Sequence, residues 1–406
     1  MGVTQCRARA LGGDGRTLQI EPDGRELISF ATCSYLGLDR DSRLAAESIA
    51  AIERFGVSFS ASRCFVTSPL YAEAESLLEQ VFGRPVVLAG STTLAHGAAL
   101  PILVSARDVV LFDQQVHHSV QTALAALGPR GPLRQSVAHG DLEALETAIV
   151  RAIAGGAKRV WYCADGIYSM FGDRLFVARL AELMHRYEPL HAYLDDAHGM
   201  SWCGTHGAGS LVDPALPIER TILTTSLSKG FGCTGGLIAV PDLATKQRIE
   251  NLGPSLMFSI QLPPSALGAI CASARIHLDG EIERLQHALA DRMVQTRALI
   301  DANATLSPRA IRLAGEPTPI HYVVLGNVDT TIAAAARMIE RGYLVNPVAF
   351  PAVPLRSGGL RFTLTRAHTE ADVRGLLEAL AEVVRELCEP RMLAQPPGSF
   401  AAAHTL

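Results

Sequence analysis

Apolar residues recur at helical spacing in "SRLAAESIAAIERFG" from Ser42, "LYAEAESLLEQVFG" from Leu70 and "DLEALETAIVRAIAGG" from Asp141. The same period returns in "VARLAELMHRYE" from Val177, "PPSALGAICASARIHLD" from Pro263 and "IERLQHALADRMVQTRALI" from Ile282. Such spacing predicts amphipathic helices. Between them lie short β-rich runs: "RPVVLAG", "DVVLFD", "KRVWYCADG", "HAYLDDA", "TILTTS" and "GGLIAVP". Strands alternating with helices from about Leu70 to about Ala274 predict parallel β-α-β units, with helices on both faces of one sheet. Beyond Ile282 the pattern becomes a long helix, a strand "PIHYVVLG", a helix "DTTIAAAARMIERG", a proline-containing loop, a strand "GLRFTLT" and a last helix "EADVRGLLEALAEVVRELCE". The expected fold class is α/β, with a smaller C-terminal α+β domain. The expected divisions are an N-terminal segment 1–45, a large domain 46–285, a small domain 286–390 and a loose tail 391–406 containing Pro and Gly.

Composition narrows the classes. The chain has 406 residues, 48% of them hydrophobic and 19% charged, which is globular rather than disordered. A formal net charge of −4, without basic runs, gives no electrostatic footprint for nucleic acid. No stretch has the length of a membrane span, and "MGVTQCRARALGGDG" lacks the apolar core of a signal peptide. None of the eight cysteines forms a C-x-x-C pair. They read as reduced thiols of a cytoplasmic protein, not as zinc ligands or a disulfide framework.

Four features sit at the ends of predicted strands, where open α/β sheets bind ligands. Lys229 follows "TILTTS", with Gly230, Gly232, Gly235 and Gly236 close behind and no acidic residue beside it in sequence. The plainer reading is an ordinary loop lysine; the sharper one is an amine that traps a carbonyl. In "YLDDAHG", Asp195 and His198 are candidates to hold a cationic ring nitrogen and a nearby oxygen. The plainer reading has Asp195 or Asp196 capping a turn. No second histidine or cysteine stands at metal-ligand spacing, so no metal is expected. In "LAGSTTLAHG", Ser91 and Thr92 open a helix, either as simple caps or as an anion site suited to phosphate. In "FDQQVHHSVQ", His117 is either a helix cap or a ring that stacks on an aromatic cofactor. Arg361 in "GLRFTLTRAH" is a carboxylate fork or a salt bridge. Ser226 and Ser228 are possible phosphate donors.

One cofactor has a use for all of these groups together: an aldehyde for the lysine, a ring nitrogen for the aspartate, a phenolic oxygen and a phosphate. That cofactor is pyridoxal phosphate. A charge pair at about 4 Å is worth about 4 kcal/mol at an effective dielectric near 20, enough for Asp195 to keep the ring nitrogen protonated.

The motifs "YLGL", "GIYSMFGD", "YLDDAHG", "SLSKGFG" and "LRFTLTRAH", in this order, resemble those of the α-oxoamine synthases of pyridoxal-phosphate fold type I. That group includes 8-amino-7-oxononanoate synthase, 2-amino-3-ketobutyrate CoA ligase, aminolevulinate synthase and serine palmitoyltransferase. The likeness runs from about Phe30 to about Leu387. "KGFGCTGG" carries no arginine soon after the lysine, unlike ordinary aminotransferases. The resemblance implies that Lys229 is the Schiff-base lysine, Asp195 the ring-nitrogen partner and His117 the stacking ring. It implies that His198 and Ser169 lie near the ring oxygen, with Ser91, Thr92 and Ser226 at the phosphate. It implies a homodimer whose sites lie at the subunit interface, with Ser259 reaching the other subunit's phosphate. Arg361 matches the arginine that binds the amino-acid carboxylate. Departures cluster on the substrate side: Cys33 replaces an asparagine, "VSFSASR" from Val57 to Arg63 (with Ser60) replaces a glycine-rich stretch, Tyr71 replaces a histidine and Phe171 an acid. "SLSK", "SFSAS" and "GTHGAG" are similar to the autoinducer-synthase branch.

The implied reaction is a decarboxylating Claisen condensation of an amino acid with an acyl thioester, on CoA or an acyl-carrier protein. It gives an α-aminoketone, carbon dioxide and free thiol. Lys229 is the implied proton shuttle, with a lowered pKa. The alternatives are a fold type I aminotransferase or lyase, and a non-catalytic scaffold subunit, against which Lys229, Asp195 and His198 speak.

Overall fold

A computed structural model describes residues 3–311 and 316–392 of the chain. Two compact units emerge: one is Asp41–Tyr168 with Arg174–Gln286, the other the described residues of Met1–Arg40, Ser169–Asp173 and His287–Leu406.

The first unit is built on a seven-stranded sheet. Its strands lie in the order Val86–Ala89, Gly236–Ala239, Thr221–Ser226, Leu190–Asp195, Val160–Asp165, Val109–Asp113, Leu133–Val137. The five strands from Thr221–Ser226 to Leu133–Val137 pair in parallel. The three central strands, Thr221–Ser226, Leu190–Asp195 and Val160–Asp165, are buried at every residue except the half-buried His191, hence their largely apolar runs. Alternate residues feed two cores, with Leu111, Tyr162, Leu194 and Leu223 on one face and Val110, Trp161, Tyr193 and Ile222 on the other.

Three elements depart from the expected pattern. Gly236–Ala239 runs antiparallel to both neighbours, Val86–Ala89 and Thr221–Ser226. Only a loop separates it from Thr221–Ser226, and a parallel return needs a crossover helix. Leu133–Val137, "LRQSV", is an edge strand whose exposed polar residues hide it from a search for apolar runs. The helix Leu243–Leu252 is also polar; Asp242 caps it by accepting from the Thr245 N–H at 2.7 Å.

In the second unit, Gly358–Thr363 pairs antiparallel with both Ile320–Gly326 and Asn346–Val348. Helices Val328–Glu340 and Glu370–Met392 belong to this unit. The N-terminal residues also belong to it: Ala8–Leu11, Thr17–Ile20 and Glu26–Ser29 form an antiparallel meander, and Tyr343–Leu344 adds in parallel. Phe30 stacks on His368, with centroids 3.9 Å apart. The tail expected to be loose lies outside the described residues beyond Met392. No helix among the described residues is long and apolar enough to cross a membrane.

Candidate active site

A cavity of about 180 Å³ lies at the carboxyl ends of the central strands of the first unit. Lys229, Asp195, His198, His117, Ser91 and Thr92 all line it.

Lys229 sits half-buried on the loop after Thr221–Ser226. That loop is closed on itself. The Leu227 N–H donates to the Gly235 carbonyl at 3.0 Å and the Cys233 N–H to the Leu227 carbonyl at 2.8 Å. The Gly232 N–H donates to the Lys229 carbonyl at 3.0 Å, and Gly232 has φ 78°. That conformation favours glycine. Lys229 is thus held by a fixed loop, which disfavours the solvated-lysine reading.

Asp195 ends the strand Leu190–Asp195 and is 4% exposed. Its Oδ1 accepts from the Ala197 N–H at 2.9 Å, so it caps the turn and faces the cavity at once. Its Oδ2 lies 3.1 Å from His96 Nε2. Burial alone would raise its pKa. The hydrogen bond of His96, with Lys229 beyond, outweighs burial and holds the carboxylate below its usual range. Asp196 behaves differently. Its oxygens accept from the Ser210 N–H at 2.5 Å and the Ser210 hydroxyl at 2.8 Å, while burial pushes its pKa up to about 7. Asp196 is therefore a tie within the fold, and Asp195 is the carboxylate presented to the cavity.

Ser91 caps the helix Thr92–Leu103, its hydroxyl accepting from the Leu94 N–H at 3.2 Å. Early N–H groups of that helix remain for an anion. His117 likewise both caps and lines. Its Nδ1 lies 2.6 Å from the Ser119 hydroxyl at the start of His118–Ala125, and its ring stays exposed at the cavity.

Three candidates of the first unit are not on the cavity lining. Ser226 turns its hydroxyl to that of Ser228 at 2.7 Å, and Ser228 lines the cavity instead. Ser60 donates to the Ser62 carbonyl at 3.1 Å, and Ser259 is half-buried elsewhere on the unit. Tyr71 is buried, and its hydroxyl accepts from the Leu262 N–H at 2.7 Å.

In the second unit, Arg361 is 5% exposed on Gly358–Thr363. Its Nε donates to the Ser169 carbonyl at 2.7 Å, and a terminal nitrogen lies 3.7 Å from Cys33 Sγ. The buried Tyr35 hydroxyl stands beside both Cys33 and Arg361. Phe171 meets the Tyr322 ring edge-on at 5.0 Å.

Two residues escaped the sequence reading. Asp165 ends Val160–Asp165 at the cavity and accepts from the His117 N–H at 3.1 Å. Its position after a buried strand is the same signal that marks Asp195. His96 lies within a helix and carries no such signal.

The donor set fits pyridoxal phosphate. A helix N-terminus with hydroxyls suits the phosphate, an ionised buried carboxylate suits the ring nitrogen, and an amine suits the aldehyde.

Residues 25–380 match the aminotransferase class I and II family. The 8-amino-7-oxononanoate synthase of Methylobacillus flagellatus is 30% identical over 94% of this chain and 92% of its own length. That of Dechloromonas aromatica is 31% identical over 89% and 91%. Among solved structures, serine palmitoyltransferase from Sphingomonas wittichii superposes with a TM-score of 0.83 at 21% identity, over 95% of this chain and 94% of that one. The 8-amino-7-oxononanoate synthase of Francisella tularensis gives 0.72 at 19% identity, over 89% and 98%. The chain belongs to the aminotransferase class I and II family and, within it, to the α-oxoamine synthases.

Proposed function

We propose that this chain is a pyridoxal-phosphate-dependent acyltransferase that condenses an amino acid with an acyl thioester, releasing carbon dioxide, free thiol and an α-aminoketone. The observation that carries this reading is the meeting of Lys229, Asp195, His117 and the Ser91–Thr92 turn on one cavity.

When bound, the cofactor supplies an aldehyde for amines and a ring that accepts the electron pair left on the α-carbon. The N–H groups beyond Ser91 and the Thr92 turn hold the phosphate. The Asp195 carboxylate keeps a proton on the ring nitrogen. His117 would cover one face of the ring, and His198 would serve the ring oxygen. Lys229 Nζ removes the α-proton of the amino acid and returns a proton after carbon dioxide has left. Arg361, fixed through Nε by the Ser169 carbonyl, takes the amino-acid carboxylate by its fork. Cys33 and the segment containing Ser60 tune which amino acid and acyl chain are accepted.

The working form is a homodimer. Val57, Phe65, Val66, Phe258 and Ile260 are exposed apolar side chains on two segments of the first unit. Those segments are tied together by Gln261, whose amide donates to the Ser60 and Val66 carbonyls at 3.1 Å each. Such a patch suits a second copy of the chain and brings Ser259 to that copy's phosphate. Sedimentation of the full chain as a monomer would remove this element. A cytoplasmic setting is supported by eight cysteines, none in a disulfide.

The test is an assay of thiol and carbon dioxide release from amino acids paired with acyl-CoA or acyl-carrier-protein thioesters. Keto-acid formation without thiol release would mark an aminotransferase instead.

A further inference from the structure

Behind the cavity, three buried side chains stand in a row. His96 and Tyr193 are both 0% exposed. His96 Nδ1 lies 2.9 Å from the Tyr193 hydroxyl, and His96 Nε2 lies 3.1 Å from Asp195 Oδ2. The two rings meet edge-on, with centroids 5.8 Å apart and planes at 60°. Nothing in the proposed reaction uses His96 or Tyr193.

The hydrogen-bond inventory orders this row. An ionised carboxylate only accepts, so the proton between His96 and Asp195 must reside on Nε2. A neutral imidazole with its proton on Nε2 leaves Nδ1 as an acceptor. Its neighbour at 2.9 Å is the Tyr193 hydroxyl, which must then donate to it. A ring with its proton on Nδ1 would put two lone pairs face to face between Nε2 and Asp195 in a dry interior, at a cost of roughly 1–3 kcal/mol.

Position adds a second constraint. His96 belongs to the helix Thr92–Leu103, whose first residues line the cavity. Tyr193 and Asp195 are alternate residues of the strand Leu190–Asp195 and so share one face of the sheet. His96 therefore links the helix that offers the anion site to the strand that offers the carboxylate.

We propose that Tyr193 and His96 form a positioning pair: the Tyr193 hydroxyl fixes His96 as the Nε2–H tautomer, and Nε2–H orients the ionised Asp195 for the ring nitrogen of the cofactor. This inference rests on the cofactor reading above for its last link only. The pair touches neither the cofactor nor the substrate. It acts through Asp195, and through the helix that carries Ser91 and Thr92.

The experiment has one arm that needs no cofactor. In the full-length, cofactor-free protein labelled with ¹⁵N-histidine, His96 is expected to give the ring signals of an Nε2–H tautomer. The Tyr193→Phe variant is expected to shift the Nδ1 resonance toward that of a nitrogen without a donor. A wild-type His96 with its proton on Nδ1, or with both nitrogens protonated, overturns the proposal. So does an Nδ1 signal unmoved by Tyr193→Phe.

The second arm reads pyridoxal phosphate affinity and the ¹⁵N shift of the bound ring nitrogen. His96→Leu is expected to weaken binding about tenfold to a hundredfold, the loss typical of a hydrogen bond to a charged group. It is also expected to move the ring nitrogen toward its neutral shift. His96→Gln, which keeps a donor for Asp195, is expected to restore most of both. A His96→Leu protein with wild-type affinity and ring-nitrogen shift overturns the proposal. If His96→Leu does not fold, the milder Tyr193→Phe decides by its Nδ1 resonance. If wild type binds no pyridoxal phosphate, the functional reading falls, and the tautomer arm still decides whether the pair exists.

Discussion

Asp165 and Asp195 are register partners on adjacent parallel strands, and both end at the same cavity. Two buried carboxyl groups side by side do not both ionise. Burial raises the Asp165 pKa well above the usual carboxylate range, and the Asp195 charge raises it further. Asp195, held by His96, takes the ionised role. The two acids should therefore respond unequally to neutralisation. Asp165→Asn keeps an acceptor for the His117 N–H and removes no charge, so kcat/KM should stay within about tenfold of wild type. Asp195→Asn removes the charge opposite the ring nitrogen and should cost about 10³-fold, the rate equivalent of about 4 kcal/mol. Steady-state kinetics of the two variants, with cofactor affinity measured beside them, checks the asymmetry.

The anion site depends on close backbone approach. A Cβ on Gly236 would fall 2.5 Å from the Ser91 carbonyl carbon and 2.6 Å from the Ser91 oxygen. Those atoms are backbone and cannot swing aside. Gly236→Ala should push the Ser91–Thr92 turn away from the strand end and weaken pyridoxal phosphate by about tenfold or more. Competition with inorganic phosphate should weaken in parallel. Equilibrium titration with both ligands reads the effect.

If Arg361 binds the substrate carboxylate as proposed, its loss should affect the substrate and not the cofactor. Its guanidinium is positioned by the Ser169 carbonyl, next to Cys33. Arg361→Gln should raise the amino-acid KM about 10- to 100-fold, as expected for loss of a charge-assisted hydrogen bond. It should leave the affinity for pyridoxal phosphate unchanged. A titration of each ligand against the variant tests the split.

His277 makes the fold acid-sensitive. It is fully buried, with Nδ1 2.7 Å from the Ser273 carbonyl and Nε2 2.9 Å from the Ser201 hydroxyl. Burial lowers its pKa to about 4, whereas an unfolded histidine titrates near 6.5. The unfolded chain thus takes the proton first. Stability from neutral His277 is complete above about pH 6.5 and is lost as the pH falls from there through about 4, by about 1.4 kcal/mol per unit. His321 and His368, also lowered to about 4 by burial, add to the slope. Thermal melts of His277→Gln against wild type across pH 4 to 8 should show a shallower loss in the variant.

How much of this was legible in the sequence depended on whether a residue's neighbours in the chain are also its neighbours in space. The buried central strands announced themselves as apolar runs, and Lys229, Asp195, His117 and Ser91 each follow one. They meet because parallel strands bring their carboxyl ends to one edge. Asp165 follows the same kind of run and was open to the same inference. His96 was not. It lies in mid-helix, and only the packing of that helix on the sheet lets its side chain reach Asp195. Ser226 shows the limit of adjacency: its hydroxyl meets that of Ser228, and the neighbour lines the cavity. Gly236–Ala239 looked like one more parallel strand, because period alone does not report direction. The short loop carrying Lys229 was the available clue.

The central claim is that carbon–carbon bond formation is coupled to loss of a carboxyl group and a thiol. The most direct measurement uses carboxyl-labelled amino acids with a panel of acyl thioesters. Labelled carbon dioxide and free thiol should appear in equal amounts in wild type. Neither should appear in Lys229→Ala, which should also lose the borohydride-trapped cofactor adduct seen by mass spectrometry. Labelled keto acid without thiol release, or an adduct that persists in Lys229→Ala, would contradict the account.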